Sequence, residues 1–449
     1  MTNRHASIPL TEPTEIVGEW YLPDQPDRVA SGRLLYDPED GLFLETISDV
    51  PLLLGRGSAP ILLGVAVDGR LVTLRDVDQL SERFSAPGGS SLRASVRTAF
   101  VGTHAETPEA LRLHSVDARL SHLTHWCSKP GIDVRHTIWP RGGVIQFGAP
   151  PTVVLAKTAG ATFAVTFDFV GERDPASGDG AYEVSLEQQA WLTIKPRRSW
   201  RYDEFDRLLT QVRWFFGFAA GAQDRLLELR GHAPVVRRTF GPKGRRFRVV
   251  EPIWILFGRP RLQSPEARAA TEMLFLLPDL AADRTTRPLT RWLNLCQRLS
   301  MEPVFGPYFA TLARDTMYLD VRFLLFAQIA EAYHSRRRPA RTHYERRIGA
   351  LVAAMPRQLR QRIPPTFANE VKHTRNYSTH RDMKSFARAA TGARLFALAE
   401  LLKLTFDVAI LHELGFAQAE ITNLVDRNPR VSQTVRQALQ ILAETTPGR

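Results

Sequence analysis

The segment YDEFDRLLTQVRWFFGFAAG, residues 202–221, marks the point at which the residue pattern changes along the chain. Its apolar side chains, Phe205, Leu209, Val212 and Phe216, recur every three or four residues. This spacing places them on one face of an α-helix. Before the segment, apolar residues come in short runs between turn residues, and after it the helical spacing continues. The segment therefore separates a predicted strand-rich region from a predicted helical region.

The strand-rich region consists of short apolar runs joined by turn signals. Residues 37–41, Asp-Pro-Glu-Asp-Gly, separate two such runs, and Asp68-Gly69 separates the next two as a tight hairpin turn. Further runs continue to residue 196. Many short strands separated by Gly, Pro and Asp are typical of β-sandwiches and β-barrels. We therefore predict an N-terminal β-rich domain, sandwich-like or barrel-like, over residues 1–200.

The region after the segment is predicted to be helical. A strand-like stretch, RRFRVVEPIWILFG (245–258), interrupts it before helical spacing resumes. The predicted helices are 265–277, 287–299, 306–313, 317–335, 340–355, 366–377, 383–413 and 431–444. The chain is thus predicted to be α+β, with a helical connector containing short strands at 201–263 and an all-α bundle at 264–449.

The charge of the chain is unevenly distributed. Of the 449 residues, the first 200 hold 19 basic and 24 acidic side chains, a net charge of −5, and the rest carry +17. A basic second half indicates a polyanionic partner, and nine arginines between residues 336 and 362 form a candidate contact surface for an RNA backbone. The alternative is an arginine-rich surface that contacts only solvent.

The cysteines and apolar stretches indicate a cytoplasmic protein without membrane association. Cys127 and Cys296 show no Cys-x-x-Cys spacing, which argues against a disulfide scaffold or a cysteine zinc site. The most apolar stretch, residues 395–414, is interrupted by four charged residues. It is predicted to be a buried helix and not a membrane span. The first residues lack an apolar core of signal-peptide length.

The decapeptide HTRNYSTHRD, residues 373–382, contains the candidate catalytic residues Arg375, Asn376 and His380. Five residues on an ideal helix leave Arg375 and His380 about 140° apart. Their convergence therefore requires the helix to end within residues 377–379. His380 would then lie near the start of the next helix, with Asp382 as a possible cap.

These residue types suit cleavage of RNA by its own 2′-hydroxyl. The reaction needs a base, an acid and positive charge on the phosphorane, which histidine and arginine supply, while Asn376 orients the phosphate or the imidazole. One copy supplies one histidine, so the chemistry predicts a homodimer or higher homo-oligomer. It requires no metal or other cofactor. The alternative is that Arg375 and His380 are surface residues at a helix end.

The C-terminal region resembles the HEPN superfamily, helical bundles whose nuclease members carry Arg, a polar residue, a short spacer and His. RNYSTH (375–380) matches this motif, and YLDVRFLLFAQIAEAYHSRR (318–337) resembles the long helix beside it. Residues 16–45 and 62–77 resemble the N-terminal domain of ApeA-like proteins, which are bacterial anti-phage factors. Glu331 is then either a partner of Arg375 or a helical glutamate that pairs with some other arginine.

This resemblance implies a metal-independent endoribonuclease of abortive infection. It would cleave host RNA such as tRNA, leaving a 2′,3′-cyclic phosphate and a 5′-hydroxyl, and a phage-derived trigger would act through the β domain. One alternative is a non-catalytic RNA-binding or protein-interaction module with a HEPN-like scaffold. A DNA nuclease or nucleotide-modifying enzyme is disfavoured, because no phosphate-binding loop or persuasive set of metal ligands accompanies the motif.

Overall fold

The protein is described by a computed structural model. It describes residues 7–49, 51–53, 56–85, 89–137, 142–174, 183–233, 237–240, 245–248, 252–258, 267–280, 284–298, 300, 302–313, 317–338, 342–380 and 383–444. The chain forms two compact units. The first contains Met1–Leu123, Pro130–Leu209 and Arg225–Gln263, and the second contains Thr124–Lys129, Thr210–Asp224 and Ser264–Arg449.

The first unit contains the strands. They are β1 (Thr14–Leu22), β2 (Gln25–Asp37), β3 (Gly41–Ser48), β4 (Ser58–Ala66), β5 (Leu71–Ser85), β6 (Gly89–Val101), β7 (Arg112–Leu113), β8 (Ser115–Leu120), β9 (Ile132–Thr137), β10 (Gly142–Phe147), β11 (Val153–Lys157), β12 (Ala161–Asp174), β13 (Glu183–Pro196), β14 (Trp200–Arg201), β15 (Leu226–His232), β16 (Arg237–Phe240), β17 (Arg245–Arg248) and β18 (Ile253–Phe257).

The first six strands close into an antiparallel barrel in the order β6-β3-β2-β1-β4-β5, because β5 pairs again with β6. The sheet continues from β6 through β18, β15, β8, β13, β12 and β11. Along β1, Ile16, Trp20 and Leu22 are buried while Val17 and Glu19 are exposed, the two-residue period of a strand with one buried face. The predicted β-rich domain of barrel type is confirmed.

The second unit contains most of the helices. The α-helices of the chain are α1 (Leu123–Cys127), α2 (Tyr202–Ala220), α3 (Arg287–Arg298), α4 (Glu302–Ala313), α5 (Leu319–Arg337), α6 (Tyr344–Ala353), α7 (Arg357–Arg360), α8 (Phe367–His380), α9 (Met383–Phe386), α10 (Gly392–Leu414), α11 (Gln418–Arg427) and α12 (Pro429–Glu444). In the described ranges, none of them is long and apolar enough to cross a membrane.

Helix α10 forms the centre of the helical unit. It is buried along nearly its whole length, and α3, α5 and α12 pack against it. A helix that is apolar on all sides requires such neighbours. Its buried Asp407 receives hydrogen bonds from Lys403 (2.5 Å) and from the Tyr308 hydroxyl (2.7 Å), so this charge is not left unpaired. The predicted C-terminal helical bundle is confirmed.

Two predicted helices differ from the observed elements. In the described part of 265–277, a 3₁₀ turn forms at Ala270–Glu272 and a second begins at Leu277, and no α-helix forms; residues 265 and 266 of the predicted helix lie outside the described residues. The Leu274 N–H donates instead to the Ala219 carbonyl at the end of α2 (2.7 Å). The apolar residues around Leu274 are therefore extended beside α2 and not helical. The predicted helix 383–413 breaks before Gly392, because the Ala390 N–H donates to the Thr374 hydroxyl (3.0 Å) and Thr391 is extended.

The predicted connector at 201–263 is distributed over both units. Helix α2 begins in the first unit and ends in the second, whereas β15 and β18 belong to the large sheet of the first unit. The three-domain boundaries at residues 200 and 263 stay predictions.

Candidate active site

Helix α8 carries the candidate motif and is fixed by its buried face. Phe367, Val371 and Thr374 recur at helical spacing and are buried. Glu370, in the first turn, accepts two hydrogen bonds from the guanidinium of Arg394 on α10, at 2.9 and 2.6 Å. Apolar contacts and this buried ion pair therefore hold α8 against α10.

The motif is entirely helical, and the expected helix end within residues 377–379 was wrong. Helix α8 continues to His380. The weak helix propensity of the preceding residues is offset by packing, since the ring of Tyr377 lies 5.1 Å from that of Phe386. Arg375 and His380 consequently remain about 140° apart and about 7.5 Å apart along the axis. Asp382, the expected cap, lies outside the described residues.

Arg375 is oriented by two neighbouring helices. Its Nη2 donates to Glu331 Oε2 of α5 at 3.2 Å, and its guanidinium carbon lies 5.2 Å from the centre of the Tyr344 ring on α6. Its Nη1 also lies 3.5 Å from the side-chain oxygen of Asn376, at the limit of a hydrogen bond. Of the two alternatives for Glu331, the structure contains the pair with Arg375.

The environment of Tyr344 keeps its hydroxyl protonated. Burial, and then the charge of Glu331, raise the pKa of Tyr344 above its ordinary value. The residue therefore gives Arg375 a neutral aromatic face, which attracts a guanidinium through its quadrupole. The sequence reasoning did not identify Tyr344, because no local pattern in THYERR indicates a contact with a residue 31 positions later.

His380 and Asn376 differ in accessibility. His380 is the last residue of α8 and is exposed, whereas Asn376 is half-buried beside Arg375. Asn376 and His380 are four residues apart and lie on the same side of α8, whereas Arg375 lies about 100° from Asn376 and about 140° from His380 around the helix axis.

The arginines at 336–362 are only partly available to a ligand. Arg341 lies outside the described residues. Five others bind within the chain: Arg336 to the Ala332 carbonyl, Arg337 to Glu413, Arg347 to the Thr342 carbonyl, Arg360 to the Ala353 carbonyl and Arg362 to Asp426. The proposed contact with an RNA backbone along this segment stays a prediction.

Metal ligands and cysteine nucleophiles are the other catalytic groups to consider among the described residues. They contain no group of three or more His, Cys, Asp or Glu side chains arranged to hold a metal ion. Cys127 and Cys296 are buried thiols without a disulfide, and burial raises the pKa of Cys127 to about 12. A thiol with so high a pKa is a poor nucleophile at neutral pH.

Two family models match the chain. The model for ApeA N-terminal domain 1 matches residues 15–223, and the model for Apea-like HEPN matches residues 324–420. The chain is an ApeA-like protein with a C-terminal HEPN domain. Comparison with curated proteins and with solved structures gives no match. The HEPN match of this ApeA-like protein runs from α5 through α10, so Arg375, Asn376 and His380 all lie within it.

Proposed function

We propose that this ApeA-like protein is a metal-independent HEPN endoribonuclease that uses Arg375, Asn376 and His380. One observation carries the proposal. Within the matched HEPN region, Glu331 of α5 and Tyr344 of α6 hold the guanidinium of Arg375. The helix that carries Arg375 ends in the exposed His380. An oriented guanidinium and an accessible imidazole are the groups that in-line cleavage of RNA requires.

The reaction balances without an added nucleophile. A base takes the proton of the ribose 2′-hydroxyl, whose oxygen attacks the adjacent phosphorus. An acid donates a proton to the departing 5′-oxygen, so the products are a 2′,3′-cyclic phosphate and a 5′-hydroxyl. His380 is the proton-transfer group, and Arg375 stabilises the charge that develops on the phosphorane. Asn376 orients the phosphate through its amide.

We propose that two copies of the chain form one composite site. The helix through the motif is continuous, so Arg375 and His380 of one copy point about 140° apart. One copy also offers a single motif histidine, whereas the reaction needs a base and an acid. A homodimer related by a two-fold axis, or a larger homo-oligomer, supplies two histidines and two arginines.

The biological setting we propose is anti-phage defence by abortive infection in the cytoplasm. The ApeA and HEPN matches support this assignment. In this proposal, the β-rich domain at 1–200 is the sensor of a phage-derived trigger, 201–263 is the connector, and 264–449 is the nuclease domain. The substrate is host RNA, with tRNA as the first candidate.

The test is incubation of the purified protein with total tRNA, with and without EDTA, after the RNA has been folded. We expect cleavage with 2′,3′-cyclic phosphate ends in both conditions, and none from Arg375→Ala or His380→Ala. His343→Ala, at another exposed histidine of the helical unit, is the matched control and should cleave normally. Cleavage by the Arg375→Ala/His380→Ala double variant would place the active site elsewhere. RNA binding without cleavage by the unaltered protein would favour the non-catalytic module.

A further inference from the structure

Helix α3 has a polar stripe away from the motif. Arg291, Asn294 and Arg298 are exposed and stand at i, i+3 and i+7, which places them on one face of the helix. Trp292 and Cys296, on the other side, are buried in the core. The helix is therefore fixed by its apolar face, and it presents two arginines and an amide on the opposite face.

This stripe borders an open cleft at the C-terminal ends of two other helices. The cleft has a volume of about 410 Å³. Its lining residues are Arg291, Asn294, Leu295, Arg298, Arg337, His412 and Glu413. Arg337 is the last residue of α5, and His412 and Glu413 lie in the last turn of α10. Three helices of the same unit thus contribute polar groups to one concave surface.

The cleft has an excess of positive charge. Glu413, its one carboxylate, pairs with Arg337 Nε at 2.6 Å and accepts the Tyr333 hydroxyl at 2.9 Å. Burial lowers the pKa of His412, so its imidazole is neutral at pH 7. Neither Arg291 nor Arg298 forms an ion pair with another residue in the described ranges. Among the described residues, the guanidinium groups of Arg291 and Arg298 therefore have no counter-charge.

A purely structural role explains only part of this arrangement. The guanidinium of Arg291 lies directly against Gly415, whose φ of +96° makes it the left-handed cap of α10, so a side chain at that glycine would collide with it. A cation there is favoured by the helix dipole. Arg298 lies about 10.5 Å further along α3, two helical turns away. Its position is not explained by the end of α10.

We propose that this cleft binds backbone phosphates of the RNA substrate. Guanidinium forks at Arg291 and Arg298 match phosphate oxygens, and the Asn294 amide adds a neutral donor between them. Contacts of this kind position a nucleic acid without reading its sequence. The inference rests on the proposed function. It adds a substrate contact on α3, which lies outside the residues matched by the HEPN model.

The test measures RNA affinity against salt concentration for the full chain carrying His380→Ala, so that binding is read without cleavage. For single-stranded RNA, each lost phosphate contact lowers the slope of log K against log salt by about 0.7. We expect Arg291→Ala/Arg298→Ala to lower it by about 1.4 and the affinity at low salt by about tenfold or more. Arg291→Lys/Arg298→Lys should restore most of the slope, because it restores the charge.

The control is Arg388→Ala/Arg436→Ala, which removes two exposed charges of the helical unit that lie outside the cleft and outside α3. If the control loses as much RNA affinity and salt slope as the cleft variant, or if the cleft variant keeps the slope of the unaltered cleft, the assignment is wrong and the nuclease proposal is unaffected. Inorganic phosphate serves as a second ligand. If the cleft variant loses phosphate binding but keeps its RNA affinity and slope, the cleft is a free-anion site and the RNA assignment is wrong. If the His380→Ala protein binds no RNA, both proposals fail.

Discussion

The ion pair between Glu370 and Arg394 predicts how strongly the motif helix is anchored. The two side chains are only 10% and 9% exposed, and the guanidinium contacts one carboxylate oxygen twice. The other carboxylate oxygen accepts the Thr366 hydroxyl at 2.7 Å. Arg394 also reaches the Leu442 carbonyl of α12 at 3.4 Å. The pair therefore links α8, α10 and α12.

Glu370→Ala leaves a guanidinium buried without its counter-charge. Removal of one partner from a buried pair costs about 3–5 kcal/mol of unfolding free energy. For a unit of roughly 200 residues, each kcal/mol shifts the melting temperature by about 2–4 °C, so we expect a fall of about 6–20 °C. Urea unfolding followed by far-UV circular dichroism measures the free energy, and a scanning calorimetry trace assigns the shifted transition.

Helix α8 offers its own control. Lys372 forms an ion pair with Glu345 at 2.6 Å, but their side chains are 29% and 43% exposed. Glu345→Ala should therefore cost about 1 kcal/mol or less. Glu370→Leu/Arg394→Met, which removes both charges, should recover most of the loss. Equal costs for Glu370→Ala and Glu345→Ala, or a double variant no more stable than Glu370→Ala, would refute this account of the buried charge.

Three further predictions concern the site and its surroundings. Mixing wild type with either Arg375→Ala or His380→Ala protein should reduce RNA cleavage more steeply than the wild-type fraction falls; strict proportionality would contradict the composite site. Glu331→Gln should lower kcat about fivefold with little change in KM, equivalent to ~1 kcal/mol for a partly exposed pair, and an unchanged kcat would show that Glu331 does not position Arg375. Burial, and then the charges of Arg347 and Arg338, lower the pKa of His334 below its ordinary 6.5. Below pH 6.5, His334 is therefore protonated more fully in the unfolded chain than in the folded chain. Unfolding free energy should fall from pH 7 to pH 5.5, by at most about 1.4 kcal/mol per pH unit for this histidine, and less steeply in His334→Leu.

The sequence predicted elements whose cause is local. The turn at residues 37–41 joins β2 to β3, and Asp68-Gly69 lies in the turn between β4 and β5, as the turn residues indicated. Barrel closure has no local signal. It depends on the second pairing of β5 with β6, which runs over nearly the full length of both strands and is set by packing of the buried face.

The errors occurred where a segment finds its partners at a distance. The helix expected at 265–277 is absent from the described residues because Leu274 bonds to Ala219, more than fifty positions earlier. The motif helix continues past its weak helix formers because Tyr377 packs against Phe386. The Arg375–Glu331 pair joins residues 44 positions apart, and the sequence offered Glu331 only as one of two alternatives.

The continuity of α8 connects the fold to the proposed chemistry. Because the helix is anchored at Glu370 and continues without a break to His380, the angle between Arg375 and His380 is fixed by helical geometry. A flexible motif would allow Arg375 and His380 of one chain to contact the same phosphate, whereas a rigid helix keeps them apart. Reorienting α8 as a rigid body leaves this angle unchanged, so either the helix unwinds between the two residues or a second copy supplies one of the groups. Unwinding is opposed by the packing of Tyr377 against Phe386, whose ring centres lie 5.1 Å apart. The stability of the helix thus favours assembly of the site from two chains.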